Sequence, residues 1–227
     1  MGMIAKILRK KAEQVKDAFT PSPRKEEEIA YPLNLRMNAT VRFDPTLFIL
    51  AGESLKIQCP EGDSIVTAIG RFNLLGTQYY RFYLQAMDEE ESYLQMAVEN
   101  GSVSECMLYR TIDEVFPGPD EWFVWLNNRT GLIGYRDFHT PDQTNYQRIF
   151  MSEGADYIEP METIETVTAR DMRFSVRHAI MLYGRYVETG GDPVAEYLAV
   201  SREEDDEGAL VRIAAGVEVN PVSLTIL

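Results

Sequence analysis

The 227-residue chain contains only two cysteines, two histidines and two tryptophans, and each scarcity narrows what it can do. Cys59 and Cys106 form no Cys-x-x-Cys pair and have no histidine beside them, so a zinc site would need carboxylates to complete it. Two scattered thiols also suit a reducing cytosol better than a disulfide framework. Positive charge is scarce: 22 Lys and Arg stand against 36 Asp and Glu, giving −14. Such a surface repels phosphate backbones, so nucleic acid is not an expected partner of the body. No apolar run approaches the ~20 residues of a spanning helix. The start, Met1-Gly2-Met3-Ile4-Ala5-Lys6, lacks an apolar signal core and a cleavage site, and Lys6 stands where myristoylation wants Ser or Thr. Gly-x-Ser-x-Gly, Walker, Gly-x-Gly-x-x-Gly and His-Glu-x-x-His patterns are absent. No catalytic residue, cofactor or metal ligand is assigned, and a non-enzymatic role is the expectation.

What is present begins with residues 3–19. At 100° per residue, Ile4, Ile7, Leu8, Ala12, Val15, Ala18 and Phe19 fall on one apolar face, with Lys6, Arg9, Lys10 and Lys16 on the rest and Lys11 intruding. Five basic residues against Glu13 and Asp17 give this segment +3 and leave −17 for the remainder. An apolar face flanked by Lys and Arg is the pattern of a helix on an anionic membrane surface, of one docked in a groove on a partner, or of one folded back onto the chain's own acidic body. Ile4, Lys6, Ile7, Leu8, Arg9, Lys10 and Lys16 are the candidate membrane or partner contacts. Residues 1–19 are read as an amphipathic helix, 20–28 as a Pro- and charge-rich linker, and 29–227 as a single β-rich domain.

In that domain the dominant signal is period-2 alternation between turn residues. In Gln78 to Met87, Tyr80, Phe82, Leu84 and Ala86 face one way and Tyr79, Arg81, Tyr83 and Gln85 the other. Glu121–Leu126 and Leu132–Phe138 read as a strand pair, Ile112–Phe116 as a short helical turn, and 171–186 as either helix or strand. Shifting the chain by 114 residues lays Gly70-Arg71-Phe72 over Gly184-Arg185-Tyr186, Gly76 over Gly190 and Tyr83-Leu84 over Tyr197-Leu198. The repeat, about 64–110 and 176–219, predicts a mainly β (β-rich α+β) fold. Its two related antiparallel β-meander halves would stand in pseudo-two-fold arrangement, beside the N-terminal helix.

Two surface constellations merit scrutiny. Asp88-Glu89-Glu90-Glu91 and Glu203-Glu204-Asp205-Asp206-Glu207 concentrate nine carboxylates in two hairpin tips. An unbroken acidic run does not match the ligand spacing of a calcium loop, so the tips read as solvated turns or as docking points for a basic partner. Arg136, Asp137, His139 and Asp142 form a candidate polar or ligand site, where His139 with a carboxylate could exchange protons; a plain turn at Thr140-Pro141-Asp142-Gln143 is the bland reading. Trp122 and Trp125 read as core, and His178 as a structural histidine.

Gly70-Arg71-Phe72-Asn73-Leu74-Leu75-Gly76, the stretch from Gly131 to Asp142, and Tyr183-Gly184-Arg185-Tyr186 resemble the YjfK-like bacterial family of unknown function. The resemblance implies a bacterial cytosolic protein and brings no catalytic residues with it. The reading is an adaptor or accessory protein working by protein–protein contacts, in the cytoplasm and peripheral to the inner membrane. The alternative is a small-molecule-binding domain or enzyme with its site near His139 between the two halves. Partner identity and oligomeric state are not legible.

Overall fold

The structure is a computed structural model and describes residues 30–87, 90–149, 154–170 and 172–227. The expected N-terminal helix and linker, with their contact residues Ile4 to Lys16, lie outside the described residues, as do Asp88 and Glu89.

Among the described residues, twelve strands form one antiparallel sheet. They are β1 (Thr40–Arg42), β2 (Ser64–Leu74), β3 (Thr77–Gln85), β4 (Glu91–Glu99), β5 (Ser102–Val115), β6 (Asp137–His139), β7 (Asn145–Arg148), β8 (Met161–Ala169), β9 (Met172–Val187), β10 (Val194–Asp205), β11 (Gly208–Glu218) and β12 (Thr225–Ile226). Among the described residues, two short α-helices, α1 (Thr46–Ala51) and α2 (Trp122–Trp125), and three 3-10 turns, Pro32–Asn34, Gly52–Ser54 and Pro221–Ser223, complete the regular elements. Eight strands close a ring in the order β2-β3-β4-β5-β11-β10-β9-β8, and β8 returns to β2. Closure satisfies the backbone groups that an open sheet would leave at its edges. β9 is long enough to pair with β8 along its first half and with β7 near its end. The tight β4–β5 turn rests on Asn100 (φ 50) and Gly101 (φ 80), the Asn-Gly pair that a two-residue hairpin needs.

Register fixes which side chains enter the barrel. Paired residues share a face, so Gly70↔Arg81, Tyr83↔Tyr93, Tyr93↔Tyr109, Tyr109↔Gly216 and Glu203↔His178 point together into the lumen. The alternate residues point outward and are equally buried. Phe82, Leu84, Leu94, Met96, Leu108, Leu198, Val200 and Ile213 form the main core with Leu35, Val41, Phe43 and Ile57 from the N-terminal wrap and Ile133, Phe138 and Tyr146 from the 131–148 segment. Two smaller apolar clusters lie inside, around Val167, Phe174 and Val176 and around Tyr93, Tyr109 and Ala214.

Three expectations need correcting. Glu121–Leu126 is not a strand: Trp122–Trp125 form a single helical turn. The returning chain meets it through Leu132 N–H to Val124 O and Ile133 N–H to Trp125 O, which satisfies carbonyls at the helix end. Ile112–Phe116 is not a helical turn, because β5 runs on to Val115, paired with Val211 of β11. Nor does the sheet show the pseudo-two-fold expected from the repeat. The 114-residue shift lays β2 over β9, β3 over β10 and β4 over β11, strands that share a direction but follow one another around the ring in the opposite sense. No two-fold rotation produces that relation; one compatible with the ring would lay β2 over β8. The ambiguous 171–186 stretch is strand from Met172 onward.

Candidate functional site

Among the described residues, Arg136 and Asp137 form an ion pair, while no hydrogen bond or ion pair joins either of them to His139 or Asp142. His139 ends β6, exposed, with Asn145 of β7 opposite. Arg136 turns to Asp137 (3.1 Å) and Asp156 (3.8 Å). Asp142 pairs with Lys56 and accepts the hydroxyl protons of Thr140 (2.5 Å) and Thr144 (3.0 Å). The Lys56 ammonium, then the Thr140 hydroxyl, hold the Asp142 carboxyl well below its ordinary range, so it stays an anion that staples the 140–144 turn to the N-terminal wrap.

Charge is instead concentrated inside the barrel. Arg81, from β3, lies between the rings of Phe72 (4.8 Å) and Tyr93 (4.9 Å) and donates to Gln95 (2.8 Å) and Glu165 (3.1 Å). Glu165 also accepts from the Tyr83 hydroxyl (2.8 Å) and lies 2.8 Å from His178 Nε2. On the other side of His178, Glu203 lies 3.7 Å from Nδ1 and accepts from Arg212 (3.0 Å). Arg212 reaches on to Glu91 (2.7 Å), Thr111 (2.8 Å) and Glu114 (3.2 Å). Arg81, Glu165, His178, Glu203 and Arg212 are each no more than 5 % exposed. Burial pushes the Glu165 carboxyl up, but Arg81, His178 and the Tyr83 hydroxyl outweigh it and hold it at about 2. Glu203 is likewise lowered against its burial, mainly by Arg212 and His178. Burial alone would strip protons from the two arginines; the carboxylates reverse that and raise both. The belt is thus a set of buried ion pairs in which removing any one member strands another.

Gly70 is the seat of this arrangement. A Cβ there would stand 1.6 Å from Glu165 Oε1, so only glycine lets the carboxylate of β8 lie across β2. Gly216 does the same for the Tyr109 ring, which a Cβ would meet at 2.4 Å.

A second buried anion works on the outer wall. Glu196 accepts from the backbone N–H of Lys56 (2.5 Å) and Ile57 (3.1 Å), from the Tyr146 hydroxyl (2.8 Å) and from Arg185 (2.6 Å). One carboxylate therefore ties the N-terminal wrap and β7 to β9 and β10. Arg148, also buried, donates to Gly134 O and Ala155 O, while the Tyr183 hydroxyl bridges Gly134 N–H and Leu132 O.

The acidic tips divide between structure and surface. Antiparallel order brings the β3–β4 connection and the β10–β11 turn to the same barrel end, and Arg212 joins Glu91 of one to Glu203 of the other. Glu204 pairs with Arg202 (2.6 Å) and Arg177 (3.8 Å), and Glu90 stands 3.9 Å from Arg110. Asp205 accepts the Glu207 and Gly208 amides and so shapes its own turn. Asp206 and Glu207 are exposed. Among the described residues no three His, Cys, Asp or Glu side chains converge as a metal ion would require, and no helix is long and apolar enough to cross a membrane.

At the opposite end lies a groove of about 400 Å³, between α1, the β9–β10 loop and the chain leaving β11. Trp122 and Trp125 pack half-buried against the main core, while Phe123 is exposed.

Sequence reasoning missed Arg81, Glu165, Glu196 and Arg212 as organising residues. The one available signal was a charge set between aromatic residues on its own strand face, as at Arg81 between Tyr79 and Tyr83. No curated protein and no solved structure matches the chain. Residues 3–225 match one family, and the chain belongs to it: the proteins of unknown function designated DUF2491.

Proposed function

We propose that this protein is a non-enzymatic adaptor that works by protein–protein contacts close to the inner-membrane surface, in the bacterial cytoplasm that its YjfK-like resemblance implies. The observation that carries this reading is the filled lumen. In an eight-stranded barrel the interior is just wide enough for side chains, and here aromatic rings and ion pairs occupy it. Among the described residues, Glu165, His178 and Glu203 are locked in that belt and Glu196 in its outer-wall tether, while His139 and Asp142 are set on the surface. Function is then left to the exterior, where Asp206 and Glu207 project from the tip as candidate contacts for a basic partner. The basic segment 3–19 supplies a candidate contact with anionic lipid.

The test is in-cell photo-crosslinking from the full chain with a benzophenone residue at position 206, and at exposed Ile164 as a control. A discrete adduct at 206, identified by mass spectrometry and lost in E204K/E207K, is expected. No adduct at 206 beyond the control would refute docking at the tip. In parallel, the full chain should sediment with anionic liposomes and be released by salt, and the K6E/K10E variant should not. Failure of the wild-type chain to pellet would end the membrane reading.

A further inference from the structure

The groove at the barrel end away from the acidic tips is apolar in its wall and acidic at its rim. Phe43, Leu47, Phe48, Leu50, Val194 and Leu224 supply the wall, and Leu50 and its neighbour Ile49 are 64 % and 72 % exposed. Asp44, Asp192 and Glu218 also line it, while among the described residues no Lys, Arg or His does. Apolar surface of this kind, rimmed by polar groups, marks an interaction site, and covering it recovers roughly 25 cal/mol per Å². Its occupant should offer an apolar stripe flanked by positive charge. Residues 3–19 have that composition: Ile4, Ile7, Leu8, Val15 and Phe19 at helical spacing, with a surplus charge of +3. The complementarity is local, since the acids are at the rim, and global, since the rest of the chain carries −17.

Reach is sufficient. Residues 20–29 separate the segment from Ala30, the first described residue, and ten residues extend up to about 35 Å. That matches the ~36 Å length of an 11-residue strand such as β2. Tyr31 is anchored on Tyr80, near the start of β3 (ring centroids 5.9 Å), at the barrel end where the groove opens.

We propose that this groove is the seat of the chain's own residues 3–19, the apolar stripe lying on the wall and the flanking lysines facing Asp44, Asp192 and Glu218. The inference goes beyond the adaptor reading and stands apart from it. It makes the basic segment available to a membrane or partner only after it leaves the body of the protein.

The test uses the full chain with Cys59→Ser and a nitroxide on Gln14→Cys; buried Cys106 is left in place. Methyl NMR spectra are compared with those of a diamagnetic label. Methyls of Leu47, Leu50, Val194 and Leu224 should lose most of their intensity, whereas Val176 and Leu210, toward the acidic-tip end, keep theirs. The D192K/E218K variant, altered at two exposed positions, should recover the groove signals while its dispersed spectrum reports an intact fold. Groove methyls unaffected by the nitroxide would overturn the proposal, and so would broadening that persists unchanged in D192K/E218K. A mixture of spin-labelled unenriched protein with methyl-labelled protein lacking the nitroxide separates the sources: broadening in that mixture alone would place a second copy's segment in the groove and overturn docking within one chain. The photo-crosslink at position 206 is scored independently, so either reading can fail without the other.

Discussion

Replacing Glu165 by glutamine removes the central anion of the barrel lumen while keeping its volume and its Tyr83 contact. The carboxyl is held at about 2 against an ordinary 4.5, and each unit of displacement corresponds to about 1.4 kcal/mol, so ionisation of this group stabilises the fold by about 3 kcal/mol at neutral pH. Full burial means that solvent screening takes nothing off that figure, which agrees with the roughly 3–5 kcal/mol lost when one partner of a buried pair is removed. The sign follows from the depressed value. The folded state gives up this proton more readily than the unfolded chain, so the contribution is complete above about pH 4.5 and is lost as pH falls toward 2. About 2 kcal/mol of it should be gone by pH 3. The assay is urea unfolding of wild type and E165Q from pH 7 to pH 2.5, read as the difference between the two. That difference cancels the other 35 acidic side chains. A gap of about 3 kcal/mol at pH 7 that narrows to about 1 at pH 3 is expected. A gap that is the same at both pH values would show that the Arg81–Glu165 contact does not rest on the charge of the carboxylate, and the electrostatic account of the lumen would fall.

Gly70→Ala should be among the most destabilising single-methyl changes in the chain, at or above the upper end of the roughly 1–3 kcal/mol of ordinary overpacking, because its Cβ falls 1.6 Å from Glu165 Oε1. Pairing it with E165A should relieve much of the loss in a thermal-melt cycle, and strict additivity would count against the stated clash. Glu196→Ala should collapse hydrogen-exchange protection of the Lys56 and Ile57 amides, which both donate to that carboxylate, while central β4 amides keep theirs; unchanged protection at 56 and 57 would refute the tether. Cys106, its thiol pushed up to about 12 by burial and by Glu105 and Glu218, should resist maleimide in the folded protein at pH 7.5, leaving half-buried Cys59 as the reacting thiol, and rapid loss of both would contradict the packing. His139→Ala, at an exposed position, should change stability by less than about 0.5 kcal/mol in the same urea assay.

How far the sequence carries can be judged at β3. The alternation correctly separates Tyr80, Phe82 and Leu84 from Tyr79, Arg81 and Tyr83, but period-2 patterning by itself suggests one buried face and one wet one. Here both are buried, since one set enters the lumen and the other meets the wrap of residues 30–57. Arg81 therefore reads as a surface residue until its partners are known, and Glu165 lies 84 positions away. Glu203 shows the same limit more sharply. Within an acidic run it looks like part of a solvated tip, yet its parity with Tyr197, Ala199 and Ser201 turns it inward, where Arg212 meets it. Strand existence is a local property and was legible; ring closure, burial of charge and the ties made by Glu196 are set by contacts between distant segments. The helical turn at Trp122 was missed because four aromatic and β-branched residues in a row carry strand propensity that local hydrogen bonding overrode.

The buried ion belt also bears on how the molecule is made. Closure of the ring depends on β2 meeting β8 and on β5 meeting β11, each joining residues on the order of a hundred positions apart. Arg81 is built into the first meander and its partner Glu165 into a strand synthesised much later, so the emerging chain presents an arginine that has to remain hydrated until the last strands arrive. A half-closed sheet would bury one charge without its counterpart, an error costing several kcal/mol. The belt thereby penalises premature collapse and off-register closure, and folding should proceed slowly and in a single late cooperative step. In this chain the buried charges thus favour complete barrel closure over a partly closed sheet.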